Sequence, residues 1–347
     1  MHRNFFWLAS IFVVPCSVWS VAVGAPAAGP PVLHATRVIP CHAAADGRPA
    51  VVTGVAITPD GRTIAAATDD HCVLIWDVAA AAWKARLEGH ADWVHSVGLA
   101  PDGKSLVSGA GDRAICLWDI DEQSRIFKTL ACDKAVAGVA FHPNNQQVAV
   151  VGFSNRLQII NTSAGQTSQQ LNCPCADVRT VTFSLDGTRL AVAGRNGRIR
   201  LWNVDNGSRE RDIETDGRRI RALAFSPDGR LLAAAGNSPV IHVVDLSTGQ
   251  AWTTLDPRPA KVWALLFVDN RQLAVGGTDN RISIWDLDSR QVTRRLVGHT
   301  GTVASLACDA TGTVLVSGGY DTTLRIWDLA DMEVPSTASR EPAGASR

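Results

Sequence analysis

The sequence lacks an excess of charge of either sign. Its 33 lysines and arginines are matched by 33 aspartates and glutamates, so the formal net charge is zero. A chain without a global positive field has no general attraction for nucleic acid or for an anionic membrane. We therefore expect no nucleic-acid partner, and any recognition through charge has to come from a local patch.

Motifs of metal and cofactor sites are also missing. No two cysteines stand at a CxxC spacing, which argues against a zinc ribbon and against covalently attached haem. The pairs Cys41-His42 and His71-Cys72 lie in different repeats, and no third or fourth ligand accompanies either pair. We predict neither a metal nor a cofactor.

Long apolar runs are absent except at the N-terminus. Arg3 precedes an apolar run over residues 5–23, which ends in small residues up to Gly24. This three-part layout is typical of a secretory signal peptide. We predict a signal peptide over residues 1–24 and a linker over residues 25–32, and hence export to the periplasm or the extracellular space.

Other interpretations of the N-terminal segment remain open. An uncleaved membrane anchor is one, because such a run just reaches across a bilayer. Pro15 in the middle of the run favours export. It also disfavours lipoprotein cleavage at Cys16, because it occupies the position before the cysteine, where a small residue is expected. A third interpretation is an intracellular protein whose apparent leader is an accident of the gene start.

The cysteines do not define a disulfide framework. The chain has eight, and removal of the leader with Cys16 leaves seven, so at least one thiol stays unpaired within the chain. The closest pair is Cys173 and Cys175, and Cys132 and Cys175 lie in adjacent loops of the repeat. The sequence leaves the pairing open.

A repeat of about 42 residues organises the remaining chain. Its units end at residues 76, 118, 160, 202, 244, 285 and 327, with spacings of 42, 42, 42, 42, 41 and 42. Each unit contains alternating runs such as VRTVTF and RLAVAG, separated by turns such as Pro59-Asp60-Gly61. Period-two alternation with frequent turns predicts short antiparallel strands. A more polar fourth strand follows the end of each of the first six units, as in KARLEGH.

Seven four-stranded sheets can hide their faces by stacking radially around an axis. The unit endings make the sequence resemble the WD-repeat β-propeller family over residues 33–329. The Trp-Asp ending stands at Trp76-Asp77, Trp118-Asp119, Trp285-Asp286 and Trp327-Asp328, and it softens to Ile160-Asn161, Trp202-Asn203 and Val244-Asp245. We predict one all-β domain, a seven-bladed propeller of four-stranded antiparallel blades.

The resemblance also implies how the ring closes. The seventh unit lacks its outer strand, because the chain turns polar after Leu329. In this family the N-terminus supplies that strand, and we assign residues 33–40 to it. The polar tail over residues 330–347 is predicted to be disordered.

Two units carry a set of His, Ser, Asp and Trp that the resemblance marks as a structural tetrad. The sets are His90, Ser108, Asp112 and Trp118, and His299, Ser317, Asp321 and Trp327. A Ser-His-Asp hydrolase triad is the alternative. We disfavour it because the set recurs at the repeat period and no Gly-x-Ser-x-Gly elbow accompanies it. In other units Ala66 and Val275 replace the serine, and we predict no catalytic residue.

A partner site is expected on the rim where the first strand of each unit begins. The residues two and four positions before the buried residue of that strand face this rim: Thr53 and Val51, His95 and Trp93, Ala137 and Ala135, Arg179 and Asp177, Arg221 and Arg219, Trp263 and Lys261, Ala304 and Thr302. The residue before the turn carboxylate points the same way: Asp69, Gly111, Phe153, Arg195, Asn237, Thr278 and Tyr320.

The rim residues are unevenly distributed, with arginines concentrated in units four to six. We predict a partner-binding surface of Trp93, His95, Arg179, Arg195, Arg219, Arg221, Lys261 and Trp263. Arginine forks favour carboxylate or phosphate groups, and an exposed tryptophan is a flat apolar anchor. The expected function is a non-catalytic scaffold for a protein or peptide, with acidic partners favoured.

Two alternatives stand beside this prediction. The arginines can be a solvated face paired with local acids, and the tryptophans can be packed under loops. An enzyme or small-ligand binder would use the central channel and needs convergent carboxylates, metal ligands or a cofactor motif, none of which is apparent. The oligomeric state is not indicated.

Overall fold

The computed structural model describes residues 29–42, 48–173, 177–257 and 261–330, which form 29 β-strands. The predicted signal peptide, residues 25–28 of the linker and the tail beyond residue 330 lie outside the described residues and stay predictions. Within the described ranges, no helix has the length and apolar composition needed to cross a membrane.

The strands form seven sheets, the blades of one propeller. The first two strands are β1 (Val32–His34) and β2 (Arg37–Pro40). Blade 1 contains β3 (Val52–Ile57), β4 (Thr63–Thr68), β5 (Cys72–Asp77) and β6 (Ala82–Glu88). Blade 2 contains β7 (Val94–Leu99), β8 (Ser105–Ala110), β9 (Ala114–Asp119) and β10 (Ser124–Leu130). Blade 3 contains β11 (Val136–Phe141), β12 (Gln147–Gly152), β13 (Arg156–Asn161) and β14 (Thr167–Asn172).

The remaining blades repeat this plan. Blade 4 contains β15 (Val178–Phe183), β16 (Arg189–Gly194), β17 (Arg198–Asn203) and β18 (Arg209–Glu214). Blade 5 contains β19 (Ile220–Phe225), β20 (Leu231–Gly236), β21 (Ile241–Asp245) and β22 (Gln250–Leu255). Blade 6 contains β23 (Val262–Phe267), β24 (Gln272–Gly277), β25 (Arg281–Asp286) and β26 (Gln291–Val297). Blade 7 contains β27 (Val303–Cys308), β28 (Val314–Gly319) and β29 (Thr323–Asp328).

Consecutive strands of a blade pair antiparallel, and the first strands of successive blades contact one another around the axis. The contact between β27 and β3 joins the last blade to the first, and the Val55 amide donates to the Ser305 hydroxyl at 3.0 Å across this junction. The predicted seven-bladed all-β propeller is therefore confirmed.

Ring closure is also confirmed, with one refinement. Strand β2 is the outer strand of blade 7 and pairs antiparallel with β29, with Ile39 opposite Leu324. Strand β1 instead pairs in parallel with β26 and gives blade 6 a fifth strand. The segment assigned to one strand bends between them, where the Thr36 amide donates to the Ile326 carbonyl at 2.9 Å. The N-terminal segment thus links two blades.

The core lies between neighbouring blades. Ile75 of blade 1 packs in one buried cluster with Leu106 and Trp118 of blade 2. Ala65 and Ala67 on β4 are fully buried in the same cluster, and their small side chains let the two sheets approach closely. Each blade therefore depends on its neighbours to bury both faces of its sheet.

The hairpin turns have the geometry that their residues predict. Gly61 and Gly103 have φ values of +72°, in the left-handed region that glycine occupies without steric cost. Asp60 Oδ1 accepts hydrogen bonds from the Thr58 hydroxyl at 2.6 Å and the Arg62 amide at 3.1 Å. These turns form the end of the propeller opposite to the rim with the candidate site.

Candidate functional site

The structure brings the four side chains of the blade 2 tetrad into one hydrogen-bonded chain. Trp118 Nε1 donates to Ser108 Oγ at 2.8 Å, and His90 Nε2 lies 2.8 Å from the same oxygen. His90 Nδ1 lies 3.2 Å from both carboxylate oxygens of Asp112. These contacts join the loop before β7, strands β8 and β9, and the turn between them. The tetrad therefore holds these parts of the blade together.

One protonation pattern satisfies all the hydrogen bonds of this tetrad. An indole N–H can only donate, so Ser108 accepts from Trp118 and donates to His90 Nε2, while His90 Nδ1–H donates to Asp112. Burial lowers the pKa of His90 despite the opposing effect of the carboxylate. Burial alone would raise the pKa of Asp112, but hydrogen bonds from Lys128 and from two backbone amides lower it to about 2. A neutral imidazole beside a carboxylate results.

Blade 7 contains the second tetrad with the same connections. Trp327 Nε1 donates to Ser317 Oγ at 2.9 Å, His299 Nε2 lies 2.7 Å from that oxygen, and His299 Nδ1 lies 2.9 Å from Asp321 Oδ2. The serine is fully buried in both tetrads. A hydroxyl with two partners and no exposed surface has no room for a substrate, which argues against a hydrolytic site.

In blades 1, 4 and 6 the tryptophan is present without the serine. The indole nitrogens of Trp76, Trp202 and Trp285 have no hydrogen-bond partner among the described residues. In blade 1 the ring of Trp83 packs edge-on against Trp76 at 5.0 Å, which explains Trp83 as a packing residue. These blades are stabilised by apolar contacts rather than by a hydrogen-bonded tetrad.

The predicted rim residues converge on a cavity of about 470 Å³ at one end of the central channel. We call this cavity the channel mouth. Its lining residues are Val51, Thr53, Asp69, Trp93, His95, Ala137, Phe153, Arg179, Arg221, Trp263, Ala304 and Tyr320. All seven residues two positions before the buried residue of the innermost strand belong to this set. Each occupies the site of a register shift, as His95 does between Val94 and Ser96.

The structure does not bring all eight predicted binding residues together. Trp93, His95, Arg179, Arg221 and Trp263 line the channel mouth. Arg195 instead lines a groove of about 780 Å³ between blades 3 and 4, while Arg219 and Lys261 line neither cavity. The residues four positions before the buried one lie in the loops ahead of the strands, so the strand alternation does not set their direction.

The arginines of blades 4 and 5 outnumber their acidic partners. Arg179 Nε lies 2.8 Å from Asp177 Oδ1, and Arg219 Nη2 lies 3.7 Å from Asp177 Oδ2. Arg221 forms no ion pair with any described residue; its Nε donates to Asn237 Oδ1 at 3.0 Å. Burial lowers the pKa of Arg221, and the charges of Arg219 and Arg179 lower it further. The prediction of local acid pairing holds for Arg179 and Arg219, and an excess of positive charge remains.

Aromatic rings hold the two mouth arginines in place. The Arg179 guanidinium lies 4.1 Å from the centre of the Phe153 ring, and that of Arg221 lies 4.4 Å from the Trp263 ring. Tyr320 packs edge-on against Trp263 at 5.6 Å. The predicted binding set omitted Phe153 and Tyr320. The repeat alignment places both on the rim, but their contacts with the adjacent blades are visible only in the fold.

The His and Cys residues are also candidate metal ligands and candidate disulfide partners. The described residues contain no group of three or more His, Cys, Asp or Glu side chains placed to hold a metal ion. Burial raises the pKa of the Cys132 thiol to about 11, and this thiol forms no disulfide. Its candidate partner Cys175 lies outside the described residues.

Comparison with known proteins agrees with the fold. A family model described as the first β-propeller of IFT122 matches residues 51–279, and the model of the WD domain, G-beta repeat, matches residues 290–328. The U3 snoRNP-associated protein-like EMB2271 of Arabidopsis thaliana is 46% identical over 61 residues, 17% of this chain and 12% of that protein. The NACHT domain- and WD repeat-containing protein 1 of Mus musculus is 37% identical over 70 residues, 20% of this chain and 4% of that protein.

The match to each of these relatives is no longer than about two repeats of the chain. A third, the mitochondrial division protein 1 of Mycosarcoma maydis, is 36% identical over 84 residues, 24% of this chain and 10% of that protein. The chain spans at most 12% of the length of these three relatives, so their whole activities do not transfer to it. WD-repeat propellers are mostly non-catalytic scaffolds that bind proteins. Because the first family model covers more than half of the 347 residues, the chain belongs to the WD-repeat β-propeller family.

Proposed function

We propose that this chain is a non-catalytic scaffold that binds a protein or peptide segment at the channel mouth. The observation that carries the proposal is the concentration of aromatic and arginine side chains at this one concave place. Trp93 is 53% exposed and Tyr320 is 44% exposed, although both have large apolar surfaces. Exposed aromatic side chains beside arginine are typical of protein contact sites.

The opposite end of the channel has a different character. A cavity of about 540 Å³ lies there, lined by the hairpin turns and by apolar residues such as Phe225 and Phe267. No arginine is among its lining residues, and Leu185 at its edge is 69% exposed. Asp309 is the one charged residue among those that line this cavity, so the cavity is a suitable place for control substitutions.

Affinity capture with the purified full chain tests the proposal. We expect the double variant Trp93→Ala, Arg221→Ala to lose the partners that the wild type retains, because it removes the exposed anchor and the unpaired guanidinium. The control variant Leu185→Ala should retain them. Equal melting temperatures would show that all three proteins are folded. Retention of the same partners by the double variant would overturn the proposal.

A small-molecule ligand is the second candidate for the same place. The volume of about 470 Å³ lies within the range of small-ligand sites. A polypeptide fits better, because the aromatic residues Trp93 and Tyr320 extend the contact surface beyond the cavity to the exposed rim. Retention of a small molecule in place of a protein by the captured chain would favour the second candidate.

We also propose that the chain is exported. The basic start, the apolar run and the small residues up to Gly24 support this proposal. Intact-mass measurement of the protein from a cell envelope or secreted fraction should give a chain that begins near Ala25. A full-length chain in the soluble intracellular fraction would contradict export without affecting the proposed binding site.

A further inference from the structure

The unpaired charge of Arg221 has a fixed direction. Its Nε is bound to Asn237 and its guanidinium plane lies on Trp263, which leaves Nη1 and Nη2 without a hydrogen bond to the described residues. An arginine held in this way presents a rigid fork that matches the two oxygens of a carboxylate or phosphate. Because the side chain is already ordered, little rotamer entropy is lost when an anion binds.

Charge is distributed unequally across the channel mouth. Blades 4 and 5 supply Arg179 and Arg221 to its lining, with Arg219 close by, and Asp177 pairs with Arg179 and Arg219. On the other side blade 1 supplies Asp69, whose Oδ1 accepts the Val51 amide at 2.8 Å. An anionic group is therefore attracted to the side of blades 4 and 5 and repelled from the side of blade 1.

The channel mouth is continuous with the groove between blades 3 and 4, which Lys134, Arg156 and Arg195 line together with Asp133 and Asp177. Phe153 lines both the mouth and the groove between blades 3 and 4. In that groove Arg156 is paired with Asp133 at 3.0 Å. Lys134 and Arg195 also line it, and neither forms an ion pair with a described residue. A ligand that spans both places has to be longer than a single residue, and acidic groups at both places would meet cations that have no ion pair with a described residue.

Resting on the proposed function, we propose that the mouth and this groove form one track for an extended acidic peptide segment. One side chain of the segment, carrying a carboxylate or a phosphate, binds the Arg221 fork. The following residues cross the face of Phe153 toward Arg195 and Lys134. The apolar walls of Trp93 and Tyr320 contact the neighbouring side chains of the segment.

An array of octapeptides with random flanks and one fixed central residue tests the track. The fixed residue is Glu, Gln, phosphoserine or Ser, and the probe is the purified full chain carrying a fluorescent label. We expect Glu to be retained over Gln, or phosphoserine over Ser, by about tenfold, the scale of one charged hydrogen-bonded contact. Which pair differs identifies the anion. Equal retention within both pairs would overturn the proposal.

Variants separate the anion site from the rest of the track. Arg221→Ala should abolish the preference for the anionic residue, and Arg221→Lys should restore it in part, because it returns the charge without the fork. Arg195→Ala should weaken binding of octapeptides with acidic flanks and leave the central preference unchanged. Arg62→Ala, an exposed arginine at the opposite end, is the matched control and should have no effect.

The outcomes of this test and of the proposed function are distinguishable. Partner capture that depends on Trp93, together with equal retention of Glu and Gln and of phosphoserine and Ser, would leave the mouth as a contact site and overturn the track. Displacement of the octapeptides by N-acetylglutamate amide at equal concentration would also overturn it, because a single residue does not reach Arg195.

Discussion

Replacing Ser108 with alanine should destabilise the propeller by about 2 to 6 kcal/mol. The hydroxyl is fully buried, accepts from Trp118 Nε1 at 2.8 Å and contacts His90 Nε2 at 2.8 Å. Its removal leaves two buried polar groups without a partner. Each unsatisfied group costs about 1 to 3 kcal/mol, which gives the stated sum.

Urea denaturation followed by tryptophan fluorescence measures the effect. The urea concentration at the midpoint of unfolding should fall. The slope of the free energy of unfolding against urea concentration should stay unchanged, because the same surface is exposed on unfolding. Ser163→Ala is the control, since Ser163 lies exposed in a turn of blade 3, and it should shift stability by less than about 0.5 kcal/mol. A loss below about 1 kcal/mol for Ser108→Ala would refute the reasoning that the tetrad clasps its blade.

Three further predictions follow from the same contacts. Folding lowers the pKa of Asp112 from its usual 3.8 to about 2, so the stability that this carboxylate contributes is lost as the pH falls from about 4 to about 2. The free energy of unfolding of the Asp112→Asn variant, measured over the same pH range, should therefore fall less than that of the wild type. Ala66→Ser in blade 1 should supply the missing acceptor for Trp76 Nε1 and raise the free energy of unfolding by about 1 kcal/mol, and a lower denaturation midpoint would count against it. Ile39→Ala on the closing strand should cost about 2 to 5 kcal/mol, because Ile39 is 2% exposed, whereas Val38→Ala at a 47% exposed position should be nearly neutral; equal denaturation midpoints for these two variants would argue against closure by β2.

The sequence predicts most of the fold because the same pattern of strands and turns recurs in seven units. Each hairpin turn and each unit ending fixes the boundaries of neighbouring strands. The N-terminal segment is different, since it occurs once. The pattern of residues 33–40 indicates an outer strand, but nothing in it shows that Val32–His34 pairs in parallel with β26 before the chain bends to β29.

The sequence predicts which side chains line the candidate site only where those residues lie within a strand, because strand alternation sets the side-chain direction there. Arg179, Arg221 and Trp263 lie two positions before a buried residue within a strand, and all three line the mouth. Arg219 and Lys261 lie at the loop-to-strand junction, where the side-chain direction depends on the loop. The Arg221 guanidinium lies over the Trp263 ring of the next blade, so this contact follows only from the packing of blades 5 and 6 against each other.

Photocrosslinking from the channel mouth tests the proposed binding site most directly. Tyr320 is replaced by a photoreactive benzoylphenylalanine, which keeps an aromatic ring at this 44% exposed position, and Leu185 at the opposite end is replaced in a second protein. We expect the captured partner to crosslink from position 320 and not from position 185. Crosslinking from position 185 alone would contradict a site at the channel mouth.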